Sequence, residues 1–274
     1  MPIVACVQLN ASSDVEKNLL STEALVERAA RAGAELVATP EATTFLGPHD
    51  RKVALAEPID GPTNARLARL AARLGITLLV GSVAEACDEH RAYNISVLFG
   101  PNGDRLATYR KLHLFDVDID GGVRFLESDR TAAGTDVVVA DTSIGKLGLS
   151  ICFDVRFPEL YRALADRGAE ILAVPSAFTL MTGKDHWHVL LRARAIETQC
   201  WLLAPAQWGA HDDQGLRRSY GHSLIVDPWG VVVAECGDGE GICLAEIDRE
   251  KVLSVRRQIP MAANRRLATE QRER

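Results

Sequence analysis

The chain of 274 residues is short of most features that would tie it to a membrane, a nucleic acid, a metal or a disulfide framework. No apolar run approaches the roughly 20 residues needed to cross a bilayer. Met1 to Asn10 has neither a basic n-region nor a small-residue cleavage site, so a cytoplasmic address is expected. Basic residues are not in excess. The 31 Lys and Arg stand against 37 Asp and Glu, and the signs are interleaved, which argues against the concentrated basic face of a nucleic-acid binder. The only basic concentration, Arg256 to Arg274, is diluted by Glu270 and Glu273.

The six cysteines (Cys6, Cys87, Cys152, Cys200, Cys236 and Cys243) include no C-x-x-C pair, so neither a zinc site nor a disulfide framework is indicated. Cys6 and Cys200 sit in apolar runs that read as core, and Cys236 and Cys243 flank the turn-like GDGEG. His186 and His188 are two residues apart and diverge on a helix, which makes a poor metal pair. No internal repeat or low-complexity linker interrupts the chain. One domain over residues 1–274, with an arm from about residue 257, is therefore expected.

What is present is ordinary globular material, 47% hydrophobic and 25% charged, in an alternating pattern. Ile3–Leu9 reads as a strand, Val15–Ala32 as a helix stopped by Gly33, and Glu35–Thr39 as a second strand. Gly61–Gly75 carries Leu67, Leu70, Ala71 and Leu74 on one helical face. Ile76–Val83 and Tyr93–Phe99 are strands, and Pro101-Asn102-Gly103-Asp104 turns the second into a hairpin returning through Arg105–Arg110. Residues 112–128 are aperiodic and read as a loop between Lys111 and Glu127, of a length that is usually functional. Further strands are expected at Val137–Ala140, Glu170–Val174, Trp201–Ala206, Ser223–Val226, Val231–Ala234 and Gly241–Ile247. Helices are expected from Pro158, from Asp185 to Glu197 with an aspartate cap, and from Asp248 to Arg257. Alternation interrupted by hairpins implies helices layered on mixed sheets.

The chain is organised around Ser143–Leu160, where an apolar run ends at Ile151 and delivers Cys152 to a turn before the Pro158 helix. A thiol there suits a nucleophile, because positive charge or a helix N-terminus lowers its pKa. A lone cysteine is more commonly inert core, and context has to decide. Glu41 follows the Glu35–Thr39 strand at its carboxyl end, where α/β folds place ligand-facing groups, although such a carboxylate also serves as a cap or surface charge.

Three stretches together, PEATTF around Glu41, YRKLHLFD around Lys111 and SICFDVRFPELYR around Cys152, resemble the nitrilase superfamily of carbon-nitrogen hydrolases. Each is weak alone. Their ordered combination is specific, and the likeness runs from Ile3 to about Arg266. It implies a four-layer αββα sandwich with mixed sheets, paired across a two-fold axis as a homodimer, and no metal or organic cofactor. KLHLFDVDIDGGVRFLESD, PSAFTLMTGKDHWHVLLRARAIETQCW and SYGHSLIVDPWG resemble the Nit branch, its deaminated glutathione amidases more than its omega-amidases. Asp120 departs from the proline common before the glycine pair.

The resemblance assigns Glu41 as general base, Cys152 as nucleophile, Lys111 and the Phe153 backbone N–H as oxyanion donors, and Glu127 as an additional carboxylate orienting Lys111. Glu127 also reads as a loop surface charge. For a small 2-oxo acid amide, Arg156 is the best-placed carboxylate donor, although a salt bridge to Glu159 or Asp154 fits it equally. Phe178 and Thr179 are expected pocket walls by position. The expected activity is hydrolysis of deaminated glutathione to 2-oxoglutarate and cysteinylglycine. The alternatives are an omega-amidase on 2-oxoglutaramate, another aliphatic amidase or carbamoylase, and a silent scaffold that keeps the fold.

Overall fold

The computed structural model describes residues 1–118, 124–211 and 217–267, so Asp120 and the last seven residues of the expected arm lie outside the described residues. The amino-terminal half runs β1 (Ile3–Gln8), α1 (Val15–Arg31), β2 (Ala34–Ala38), α2 (His49–Ala54), α3 (Pro62–Leu74), β3 (Thr77–Ala86), β4 (Ala92–Phe99) and β5 (Arg105–Arg110). Short strands β6 (Asp116–Asp118), β7 (Arg124–Leu126) and β8 (Thr131–Ala132) follow. The remainder is β9 (Val139–Thr142), β10 (Gly145–Leu149), α4 (Pro158–Asp166), β11 (Ile171–Ala173), α5 (Leu180–Thr198), β12 (Trp201–Ala204), β13 (Trp208–Ala210) and β14 (Arg218–Tyr220). Then come β15 (Leu224–Val226), β16 (Val232–Glu235), β17 (Gly241–Glu246), α6 (Arg249–Gln258) and α7 (Met261–Asn264).

Two mixed sheets result, ordered β17-β1-β2-β3-β4-β5 with β8 beside β4, and β16-β15-β12-β11-β10-β9. Side-chain alternation along β1 shows how they stack. Ala5 and Val7 join a core with Leu19 and Val26 of α1 and Leu67 and Leu70 of α3, whereas Val4 and Cys6 face the second sheet and pack in one cluster with Leu172, Leu203 and Ile225. On the far side that sheet is covered by α4 and α5 through Leu160, Leu164, Trp187 and Leu191. The order of layers is helix, sheet, sheet, helix, as the resemblance implies.

Local chemistry sets the helix ends. Asp14 caps α1 by accepting from the Lys17 N–H at 3.1 Å, Pro62 opens α3, and Gly75 ends it in a left-handed conformation at φ 65°. All six cysteines are free thiols, and Cys6 faces Cys243 across the β1–β17 pairing.

The structure corrects two expectations. Helix α5 begins at Leu180, five residues before Asp185, and Thr179 is its N-cap. Gly183 lies inside it, and the Tyr220 side chain packs where its Cβ would stand. The 112–128 loop contains the β6–β7 pair and one 3₁₀ turn at Glu127–Asp129. The arm is in part helical, at α7, and Arg265 is salt-bridged to Asp166 of α4.

Candidate active site

The expected residues come from both halves of the chain and border one cavity. β2 ends at Ala38, and Thr39 continues it with an N–H bond to the Leu79 carbonyl at 2.9 Å. The turn that follows presents Glu41. It is clamped from the second half of the chain by Gln207, whose amide donates to the Glu41 carbonyl at 3.0 Å. Gly81 makes this close approach possible, because a Cβ there would run into the Thr39 and Pro40 carbonyl oxygens. Lys111 stands one residue past β5, its N–H bonded to the Asn94 carbonyl of β4 at 2.9 Å. Glu127 opens the 3₁₀ turn after β7.

Cys152 follows β10 and starts a second 3₁₀ turn, Cys152–Arg156. Its φ is 48°, a strained value for a residue with a Cβ. Two bonds hold the turn. The Cys152 N–H donates to the Pro175 carbonyl at 2.9 Å, and the buried Asp154 carboxylate accepts the Ile151 N–H at 2.8 Å. Asp154 is also bonded by the Tyr109 hydroxyl at 2.7 Å and the His113 N–H at 3.0 Å. It therefore ties the thiol turn to the segment that carries Lys111.

The Lys111 ammonium lies between two carboxylates, 2.9 Å from Glu41 Oε1 and 2.9 Å from Glu127 Oε2. All three side chains are buried, at 2%, 9% and 6% exposure. Asn94 Nδ2 donates to Glu41 Oε1 at 2.9 Å and to Glu127 Oε1 at 3.3 Å. Backbone N–H groups complete the shell, Ala177 onto Glu41 Oε2 at 2.9 Å and Phe115 onto Glu127 Oε2 at 2.7 Å. Glu127 is thus no loop surface charge.

Electrostatics follow from this packing. Burial alone would lower the Lys111 pKa, but Glu127 and Glu41 outweigh it and hold the ammonium well above the usual lysine range. Burial likewise opposes ionised Glu127, and Lys111, Lys52 and the Phe115 N–H overcome it, bringing that carboxyl to about 2. Cys152 departs from the expected lowered thiol. Burial and the adjoining Glu41 charge push it well above the ordinary range against the pull of Lys111. The Pro158 helix begins six residues on, and the resting group is a thiol beside a carboxylate that can take its proton.

These groups border one cavity of about 530 Å³, whose walls include Glu41, Lys111, Glu127, Cys152, Phe153, Arg156, Phe178 and Thr179. Arg156 is half-buried, its guanidinium over the Phe178 ring at 5.0 Å and the Phe153 ring at 5.8 Å, with a 3.3 Å contact to His186 Nδ1. Among the described residues it has no salt bridge to Asp154 or Glu159. Asp154 is taken by the bonds above.

Sequence reasoning missed Asn94, Asp154 as a hub, and Lys52, which also lines the cavity. Asn94 had a signal, a lone amide in the apolar run AYNISVLF. Away from the cavity, His188 and His222 both bond Glu235 Oε1, at 2.9 and 2.6 Å, so His188 is engaged with partners other than His186.

A family model described as carbon-nitrogen hydrolase matches residues 3–257. A deaminated glutathione amidase of Synechocystis sp. (strain PCC 6803 / GT-S) is 44% identical over 267 residues, covering 96% of this chain and 97% of that protein. The Homo sapiens protein of the same name is 44% identical over 272 residues, 97% of this chain and 83% of its own length. The crystal structure of the C. elegans NitFhit protein superposes with a TM-score of 0.91 at 43% identity over 97% of this chain, which spans 65% of that longer one.

Proposed function

Because this chain belongs to the carbon-nitrogen hydrolase family, we propose that its cavity cleaves the amide bond of a small 2-oxo acid amide through a thioester on Cys152, with deaminated glutathione as the substrate. One observation carries the reading: a buried ammonium held 2.9 Å from each of two carboxylates, beside a buried thiol in the same cavity.

Each group has a step that its position suits. Glu41 takes the thiol proton as the sulfur adds to the amide carbonyl. The developing oxyanion is held by Lys111 and by the Phe153 N–H, which lies in the first turn of its 3₁₀ segment, where N–H groups lack an intrahelical acceptor. Protonated Glu41 then gives its proton to the nitrogen, the C–N bond breaks, and the amine leaves. Glu41 next takes a proton from water, hydroxide adds to the thioester, the C–S bond breaks, and the proton returns to sulfur. Glu127 keeps Lys111 aimed through both halves.

The cavity also suits an acidic substrate. Its walls bring five cations, Lys52, Lys111, Arg156, Arg217 and Arg218, against three carboxylates, Glu41, Glu57 and Glu127, so a dianionic oxo-amide enters a site of opposite sign. Arg156 is the proposed donor to the 2-oxo acid carboxylate, with Phe178 and Thr179 flanking it.

Mass spectrometry of protein mixed with deaminated glutathione and quenched in acid tests the reading. The expected result is a 2-oxoglutaryl adduct on Cys152 together with released cysteinylglycine. An adduct formed from 2-oxoglutaramate alone, with ammonia released, moves the assignment to an omega-amidase. No adduct with any amide leaves a scaffold.

The remaining readings are a single domain with a short carboxyl-terminal arm, a cytoplasmic address and a homodimer. Support for the dimer is apolar exposure on one face. Val189 of α5 is 67% exposed, Trp229 51% and Val231 50%, and Ile196 of α5 packs against Gly230 of the β15–β16 turn, which makes the patch continuous. Sedimentation should give twice the chain mass, and Val189→Glu should shift it to the monomer.

A further inference from the structure

Of the five cations on the cavity wall, the chemistry above leaves Lys52, Arg217 and Arg218 without a role. Lys52 projects from α2, a short helix absent from the sequence reading, and its ammonium is within hydrogen-bond distance of one group among the described residues, the Thr131 hydroxyl at 3.4 Å. An amine paired for structure has a carboxylate in contact, as Lys111 does twice. Among the described residues Lys52 has none at salt-bridge distance, and burial pulls it below the usual lysine range although Glu127 and Glu41 lie near enough to oppose the shift. An ammonium in that state is short of an anion, and an incoming carboxylate would supply it.

The position of Lys52 says which carboxylate. The carboxylates acting on Lys52 are Glu127 and Glu41, opposed by Lys111 and Arg217, whereas the charge acting on Arg156 is the Cys152 sulfur. In the proposed reaction the nitrogen being released must face Glu41 to receive its proton. A substrate so placed can extend its leaving amine toward Lys52 and its acyl half toward Arg156 and Phe178, since both ends line the same cavity. A cysteinylglycine leaving group places its terminal carboxylate about 7 Å beyond that nitrogen, two extended residues on. Arg217 lies near the same end, tied to the loop before α2 by its bond to the Gly47 carbonyl at 2.7 Å, and adds positive charge there.

We propose that Lys52 binds the terminal carboxylate of the leaving amine, so that the pocket selects peptide-like oxo-amides over primary oxo-amides. The assignment rests on the amidase reading above and deepens it, dividing the substrate between Arg156 at the acyl end and Lys52 at the amine end.

The test compares deaminated glutathione, which carries that carboxylate, with 2-oxoglutaramate, which does not, on the wild type, Lys52→Met and Lys52→Arg. The readout is the ratio of kcat/KM for the two substrates, which is insensitive to any fraction of variant that fails to fold. In Lys52→Met the ratio should fall by about tenfold or more, the scale of one charge-assisted hydrogen bond, with the loss in KM for deaminated glutathione. Lys52→Arg should retain most of it. A ratio within twofold of wild type in Lys52→Met overturns the Lys52 assignment while leaving the amidase standing. Wild-type turnover of neither oxo-amide overturns the amidase reading and this inference with it.

Discussion

Cys152→Ala and Glu41→Gln should each silence amide turnover, the first by about 10⁶-fold, the scale seen when a covalent nucleophile is deleted, and the second by about 10²–10⁴-fold, the scale of one acid-base group. The double variant should be little worse than Cys152→Ala alone. That non-additivity is the informative part. If Glu41 serves the reaction by moving protons to and from the Cys152 sulfur and the leaving nitrogen, it has nothing left to do once the sulfur is gone. Steady-state rates on one oxo-amide for the four proteins measure the cycle, and additive losses would show that Glu41 acts elsewhere. Burial raises the Cys152 thiol more than the Glu41 charge does, so Glu41→Gln should keep the proton on sulfur while lacking the group that removes it.

Lys111→Met should cost both stability and rate. The ammonium neutralises two buried carboxylates at 2.9 Å each, and removing it leaves like charges facing one another with no cation in contact among the described residues. Breaking a buried pair in this way costs about 3–5 kcal/mol, which for a chain of this size lowers the melting temperature on the order of 10 °C. The sign with pH can be worked out. Glu127 is depressed to about 2 from an ordinary 4.5, so its contribution is present above pH 4.5 and is lost as pH falls toward 2. Lys111 is raised above an ordinary 10.5, so its contribution is present below that value and is lost only when pH rises through the higher folded one. The wild type should hold a stability plateau between those limits. In Lys111→Met one carboxylate must take up a proton to relieve the repulsion, so stability should instead rise as pH drops from neutrality toward 5. Thermal melts across that range check it, and a flat profile would mean that the carboxylates are not coupled. Turnover should fall by about 10²–10³-fold, the cost of one oxyanion donor.

Much of this architecture was legible where a periodicity of one kind persisted. β1, α1 and α3 lie within a residue or two of the ranges read from alternation and from the 3.6-residue stripe, because their buried faces are continuous. Legibility failed where a distant contact overrides local preference. The helix expected from Asp185 begins at Leu180, and the approach of Tyr220 from β14 accounts for the glycine at 183 inside it. The site divides in the same way. Glu41, Lys111, Cys152 and Glu127 are recognisable by type and order, but Asp154 and Asn94 act through bonds to residues 33 to 53 positions away along the chain, which no local pattern announces. Lys52 was invisible for another reason. It sits on six residues of helix too short to show a period, and its meaning lies in the carboxylate it is missing.

The provenance of the reacting groups carries one more consequence. On the proposed mechanism the base and the ammonium hang from one leaf of the sandwich, at the ends of β2 and β5, and the nucleophilic sulfur hangs from the other, after β10. Hydrolysis is then a property of the seam and of neither leaf: a chain divided between β8 and β9 would hold the proton acceptor on one fragment and the nucleophile on the other, and only their reassembly would restore a working set.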